Sequence, residues 1–208
     1  ALKLVDAVNA ERAFHRIRSA IEDGTFTRLD DPELISARVW ERFGVAAELG
    51  LPVQFHVGLG DDDVFLPDAS PVLLRAFYRE SRYAAVPIVL LHCYPFIREA
   101  AYLSSIYPNV YTDLGLTIPL AGVAATQIVA EALGIAPAGK VLASTDGHGV
   151  PEFQWFAAHH WRHALARALA DAVDEDLLDE RQALATARAV LHANAEAIYP
   201  VDAATAVA

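Results

Sequence analysis

Three apolar runs in this chain end on side chains that bind metals or move protons. VQFHVGLGD (53–61) carries His56, IVLLHCYP (88–95) carries His92 and VLASTDGH (141–148) carries Asp146. A fourth run, NVYTDLGL (109–116), carries Asp113. Two neutral imidazoles and a carboxylate suit a borderline divalent ion, zinc first, with manganese or iron as alternatives. A bound metal lowers the pKa of its water from about 16 to about 7, and a neighbouring carboxylate can take that proton and pass it to a leaving group. Asp146 has the chemistry for both jobs, ligand and base. Each histidine taken alone could instead satisfy a loop backbone group. Three such run ends in one chain favour a site.

For these residues to meet, each run must be a strand in one parallel sheet. The spacing predicts strands at 52–57, 87–93, 109–116 and 140–145, each followed by a helix, near 71–83, 96–106, 122–134 and 152–171. Val72, Leu73, Ala76 and Phe77 would form the apolar face of the first of these helices, and Ile97, Ala100, Ala101 and Leu103 that of the second. PIVLLHC is apolar on both faces, as a strand covered on both sides should be. Two helices, 6–23 and 32–49, precede the first strand, and a last one is expected near 175–198. DDPEL (30–34) supplies an Asp cap, a first-turn proline and a first-turn glutamate, and Gly50 stands where the helix should stop. Alternating strands and helices imply an α/β fold with four parallel strands, right-handed crossovers and outer helices. In such folds chemistry gathers at the carboxyl ends of the strands, where His56, His92, Asp113 and Asp146 all fall.

The bulk numbers suit one domain over 1–208: a helical lead-in (1–49), four βα units (50–172) and a C-terminal helix and tail (173–208). The chain has 208 residues, 54% of them hydrophobic, enough for a sizeable core. Its net charge of -11, from 16 basic and 27 acidic residues, argues against a nucleic-acid partner. A single cysteine, Cys93, excludes an internal disulfide and fits a cytoplasmic location. No apolar run long enough to cross a membrane and no signal-peptide pattern occurs. The start at Ala1 and the lack of any methionine leave two readings, a piece of a longer chain or a sequence with residues left out.

QFHVGLGD, LLHCYP, NVYTDLG and ASTDGHGVPE, followed by NAEAIY (194–199), resemble in order the C-terminal half of the amidohydrolase superfamily. The similarity covers roughly residues 32 to 200. It is nearest to the amidohydrolase family 2 branch, which includes the domain fused to glutamine-synthetase-like proteins. The resemblance implies the C-terminal part of a (β/α)8 TIM-type barrel and a hydrolase dependent on one or two metals. It implies that His56 is the fifth-strand metal ligand and that Asp146 is ligand and general base. His92 would be a second-metal ligand in two-metal members, or a catalytic or substrate-contacting group in one-metal members. Asp113 matches no catalytic position, and a structural role is expected for it. The His-x-His pair that opens these barrels is absent from the chain. Lys3 could be a remnant of the fourth-strand segment, where some members hold a metal-bridging lysine, but a surface lysine is the preferred reading.

His148, two residues after Asp146, is a candidate substrate contact. Glu152 is read as a helix-dipole partner, His159, His160 and His163 as an outer helix face, and Cys93 as packing. The parent activity expected is hydrolysis of an amide or related C–N bond of a small-molecule substrate. The alternatives are a metal-dependent decarboxylase on the same scaffold and a non-catalytic half-barrel binding module. Four strands from a barrel would leave two bare edges, so a homo-oligomer or association with N-terminal barrel strands is expected.

Overall fold

Period-two alternation decides which side of each strand meets the helices. Val53, Phe55 and Val57 of β1 (Val53–Val57) join Ile88 and Leu90 of β2 (Ile88–His92) in the main hydrophobic core. Val110 of β3 (Val110–Asp113) and Val141 of β4 (Val141–Leu142) complete that outer face. The other face carries Gln54, His56, Val89, Leu91, Tyr111, Asp113 and Leu142, because the register pairs Gln54 with Val89 with Tyr111, and His56 with Leu91 with Asp113 with Leu142. All three pairings are parallel and the order is β1-β2-β3-β4, as the alternating pattern predicts. The sheet does not close on itself. The computed structural model describes residues 7–26, 28–29, 31–62 and 64–199, so Lys3 lies outside the described residues.

Helices α1 (Ala7–Glu22) and α2 (Pro32–Leu49) lead into β1. Asp31 caps α2 by accepting from the Glu33 and Leu34 amides, and Gly50 ends it at φ 64°. Trp40 and Phe43 of α2 meet Phe77 at ring-centroid distances of 3.9 and 4.9 Å, and Phe43 meets Phe55 at 5.8 Å. This aromatic cluster explains one departure from expectation. Residues 71–83 are not a single helix but 3-10 turns at Pro71–Leu74 and Ser81–Tyr83 around a short helix, α3 (Arg75–Tyr78). The Tyr78 hydroxyl donates to the Pro71 carbonyl at 2.8 Å, and the Glu80 carboxylate accepts from the Arg82 amide, so the segment folds back upon itself. Leu74 and Phe77 are therefore buried, while Val72 faces outward.

The helix α4 (Ile97–Ile106) buries Ile97, Ala100, Ala101 and Leu103, the face expected for it. A short helix, α5 (Thr117–Ala121), intervenes before α6 (Ala125–Leu133), and α7 (Pro151–Asp174) runs longer than the sequence suggests, with Glu152 in its first turn. Asp179 builds a capping box with Gln182 that starts the last segment, which runs as α8 (Glu180–Arg188), a π-helical turn (Ala189–Ala193) and α9 (Asn194–Ile198). Its end covers the interior face, where Ile198 packs with Val89 and Leu142.

This segment also closes the edge of β4. The Ala143 amide donates to the Val190 carbonyl at 3.1 Å, and the buried Asn194 amide donates to the Ala138 and Val141 carbonyls, each at 2.8 Å. The expectation of two bare edges is thus corrected at β4: its outward polar groups are taken by a helix rather than a strand. Among the described residues neither β1 nor β4 has a strand on its outer side, and only the β4 edge is taken by this helical segment.

Candidate active site

His56, His92 and Asp146 converge on the carboxyl rim of the sheet. His56 reaches it by ordinary alternation, on the interior side of β1, where its ring is exposed and makes no hydrogen bond among the described residues. A cleft of about 460 Å³ between α2, β1 and residues 68–74 opens beside it. His92 reaches the rim differently. Alternation along β2 would send it outward with Ile88 and Leu90. Its φ of 67°, followed by 68° at Cys93, turns the ring towards His56, at a centroid distance of 4.5 Å and an interplanar angle of 68°. Left-handed backbone at a non-glycine residue costs about 1–3 kcal/mol and persists only where its surroundings hold it. The Thr117 hydroxyl does so by donating to the His92 carbonyl at 2.6 Å.

The His92 ring is 3% exposed, and its hydrogen bonding fixes its tautomer. The Leu116 amide donates to Nδ1 at 3.1 Å, so Nδ1 carries no proton. Burial, with His56 nearby, holds the ring below the usual histidine range, against an opposing pull from Asp146. The neutral ring therefore carries its proton on Nε2. That atom lies 3.7 Å from Asp146 Oδ2, longer than a hydrogen bond.

Asp146 sits at φ 48° in the loop after β4, with its carboxylate about half exposed. His148 is exposed, and its Nδ1 donates to the Asp146 carbonyl at 2.9 Å, which bends the loop back on itself. Thr145 and Gln154 tie the same loop to the start of α7 at 2.8 Å. Two backbone approaches close the rim. Gly58 lies against the Tyr94 carbonyl, where any Cβ would collide, and lets the Leu59 amide donate to that carbonyl at 2.8 Å. The second approach is at Gly115, which packs between His92 and Asp113.

Asp113 is buried, and its Oδ1 accepts from the Gly115 amide at 2.6 Å and the Ser144 hydroxyl at 2.8 Å. Burial pushes its carboxyl up to about 6, with those two bonds opposing. The turn these bonds make ends β3 at Asp113 rather than at Leu116. Cys93 is buried just past β2, where its thiol donates to the Leu90 carbonyl and burial raises its pKa, in keeping with packing. The α7 histidines stay outside the site: His159 stacks on Trp155, His160 stacks on Phe156, and His163 is exposed.

Whether these residues fit a metal depends on their free donors. His56 offers free ring nitrogens and Asp146 an exposed carboxylate, donors suited to a borderline divalent ion. His92 offers only an N–H to the rim. Among the described residues no group of three or more His, Cys, Asp or Glu is arranged to hold a metal ion. The fit is that of part of a site. Sequence reading missed Leu116, Thr117, Ser144 and Asn194, whose roles rest on backbone bonds that carry no residue signature, although the quoted NAEAIY contains Asn194.

Comparisons with known proteins agree with this fold. Protein fluG of Emericella nidulans is 39% identical over 153 residues, covering 73% of this chain and 18% of that protein. A solved structure described as a metal-dependent hydrolase, from Lactobacillus casei, superposes with a TM-score of 0.85 at 29% identity over 95% of this chain and 51% of that one. Uronate isomerase from Thermotoga maritima shares the fold, with a TM-score of 0.72 at 14% identity over 96% of this chain and 47% of that one. The chain thus spans about half the length of the solved structures and under a fifth of the curated relative. Among the described residues no helix is long and apolar enough to cross a membrane. A family model described as Amidohydrolase (Amidohydro_2) matches residues 5–201, and the chain belongs to that family.

Proposed function

We propose that this chain supplies the C-terminal half of the active site of a metal-dependent hydrolase acting on an amide or related C–N bond of a small molecule. His56 and Asp146 would hold a divalent ion, zinc by preference, together with ligands from outside these 208 residues. Such an ion would polarise the scissile carbonyl and acidify a water. Asp146 is the base of the reading, since its half-exposed carboxylate can take a proton at the rim.

The observation that carries the reading is the Leu116 amide on His92 Nδ1. With Nδ1 occupied, the neutral ring meets the rim as an N–H donor and has no lone pair for a metal. Of the two roles the family resemblance leaves open for His92, this favours contact with the substrate over ligation. An Nε2–H donor fixed beside the base stabilises negative charge developing on a substrate oxygen, the kind of preorganised donor whose loss costs on the order of a hundredfold or more in rate.

Metal content and turnover of the intact protein and its variants test this. His56→Ala and Asp146→Asn should each lose most of the bound metal. His92→Ala should keep its metal and lose about a hundredfold or more of amide hydrolysis. Metal loss from His92→Ala would make His92 a ligand and overturn the assignment. Release of CO2 from the substrate would replace hydrolysis by decarboxylation.

A further inference from the structure

We propose that Asp113 is a positioning residue: its carboxylate locks the turn after β3 so that the Leu116 amide fixes the tautomer of His92. This inference rests on the reading of His92 as an N–H donor given above. The geometry is a short relay. Asp113 Oδ1 accepts from the Gly115 amide at 2.6 Å, the next residue donates its amide to His92 Nδ1 at 3.1 Å, and the residue after that donates its hydroxyl to the His92 carbonyl at 2.6 Å. Both of these bonds to His92, one to the ring and one to its carbonyl, therefore come from the two residues that follow the one Asp113 holds.

The same oxygen accepts from the Ser144 hydroxyl at 2.8 Å, and Ser144 lies two residues before Asp146. One buried carboxylate thus joins the turn that orients His92 to the loop that carries Asp146. Gly115 leaves no slack between them, because a Cβ there would lie 2.7 Å from His92 Nδ1, 2.9 Å from Ser144 Oγ and 3.0 Å from Asp113 Oδ1. Burying a carboxylate is unfavourable unless its hydrogen bonds compensate, and residues that only pack a strand end are ordinarily apolar. Thr112, one residue earlier, satisfies its own polarity by pairing with Ser104 and has no such reach.

The test reads the tautomer directly. The intact, metal-stripped protein, 15N-labelled at histidine, is studied by long-range proton–nitrogen NMR at a pH where His92 is neutral. Wild type should show His92 protonated at Nε2. Asp113→Ala should let the Leu116 amide move off the ring and bring a roughly tenfold change in tautomer ratio, the equivalent of one neutral hydrogen bond. Asp113→Asn keeps an acceptor oxygen in place and should restore the wild-type spectrum. If Asp113→Ala does not fold, Asp113→Ser, whose hydroxyl is too short to hold both donors, takes its place with the same expected change. An Asp113→Ala or Asp113→Ser spectrum identical to wild type would overturn the proposal while leaving the donor role of His92 intact. A wild-type ring protonated at Nδ1 would instead overturn the donor role itself.

Discussion

Replacing Gly115 by alanine probes the tightest point of the site. The added methyl carbon would lie 2.7 Å from His92 Nδ1, 2.9 Å from Ser144 Oγ and 3.0 Å from Asp113 Oδ1, where packed carbon atoms need about 3.5 Å. None of the three neighbours is a free side-chain end. The His92 ring is 3% exposed and held by Leu116, and Ser144 and Asp113 hold each other. Relief must therefore stretch the Leu116–His92 bond, the Ser144–Asp113 bond or both, at about 1 kcal/mol each, on top of an overpacking cost of about 1–3 kcal/mol. The expected loss is about 2–5 kcal/mol, which lowers the urea midpoint by roughly 1–2.5 M at a slope of about 2 kcal/mol/M. Urea unfolding followed by tryptophan fluorescence measures it. A midpoint unchanged within error, with His92 NMR signals unmoved, would refute the close packing of Gly115 and the rim geometry built on it.

Asp113 makes stability depend on pH. Its folded carboxyl, raised from 3.8 to about 6, holds a proton that the unfolded chain has already lost, so its contribution is full below 3.8 and is lost as pH rises through about 6. The loss amounts to about 3 kcal/mol. Wild type should weaken between pH 4 and 7 relative to Asp113→Asn, and parallel urea midpoints across that range would contradict the assignment. Asn194→Ala should cost about 2–3 kcal/mol by orphaning the Ala138 and Val141 carbonyls. Asn194→Asp should cost more, since it sets a carboxylate against two carbonyl oxygens, and thermal unfolding of the pair would expose a wrong order. The 208-residue chain alone should self-associate through the edge of β1 and the exposed interior positions Gln54 and His56, and a cooperative monomer by light scattering would show that this edge is protected.

The parallel order of the strands was legible because each apolar run is short, β-branched and separated by a helical period. The rim placement of His56 followed from the same alternation. His92 was found for a partly wrong reason: strict alternation puts it on the outer face, and only the left-handed backbone at His92 and Cys93 returns it to the site. No residue type announces that conformation. Asp113 was read as structural on the strength of resemblance alone, and its hold on Gly115 and Ser144 depends on a turn that propensity does not reveal. The 71–83 segment misled because Val72, Leu73, Ala76 and Phe77 share helical spacing, while contacts to Trp40 and Phe43 dictate where Phe77 goes. The bare edge expected at β4 was covered by Asn194 and a π-turn carbonyl, neither of which alters the hydrophobic pattern.

On the proposed reading, His56 and Asp146 share a divalent ion while His92 faces it as an N–H donor. Anomalous diffraction at the zinc edge, from crystals of the intact protein loaded with zinc, tests it most directly. One anomalous peak is expected at the carboxyl rim, about 2.0–2.2 Å from a ring nitrogen of His56 and an oxygen of Asp146, with His92 Nε2 outside ligand distance. A peak bonded to His92 Nε2, or one away from His56 and Asp146, would contradict it.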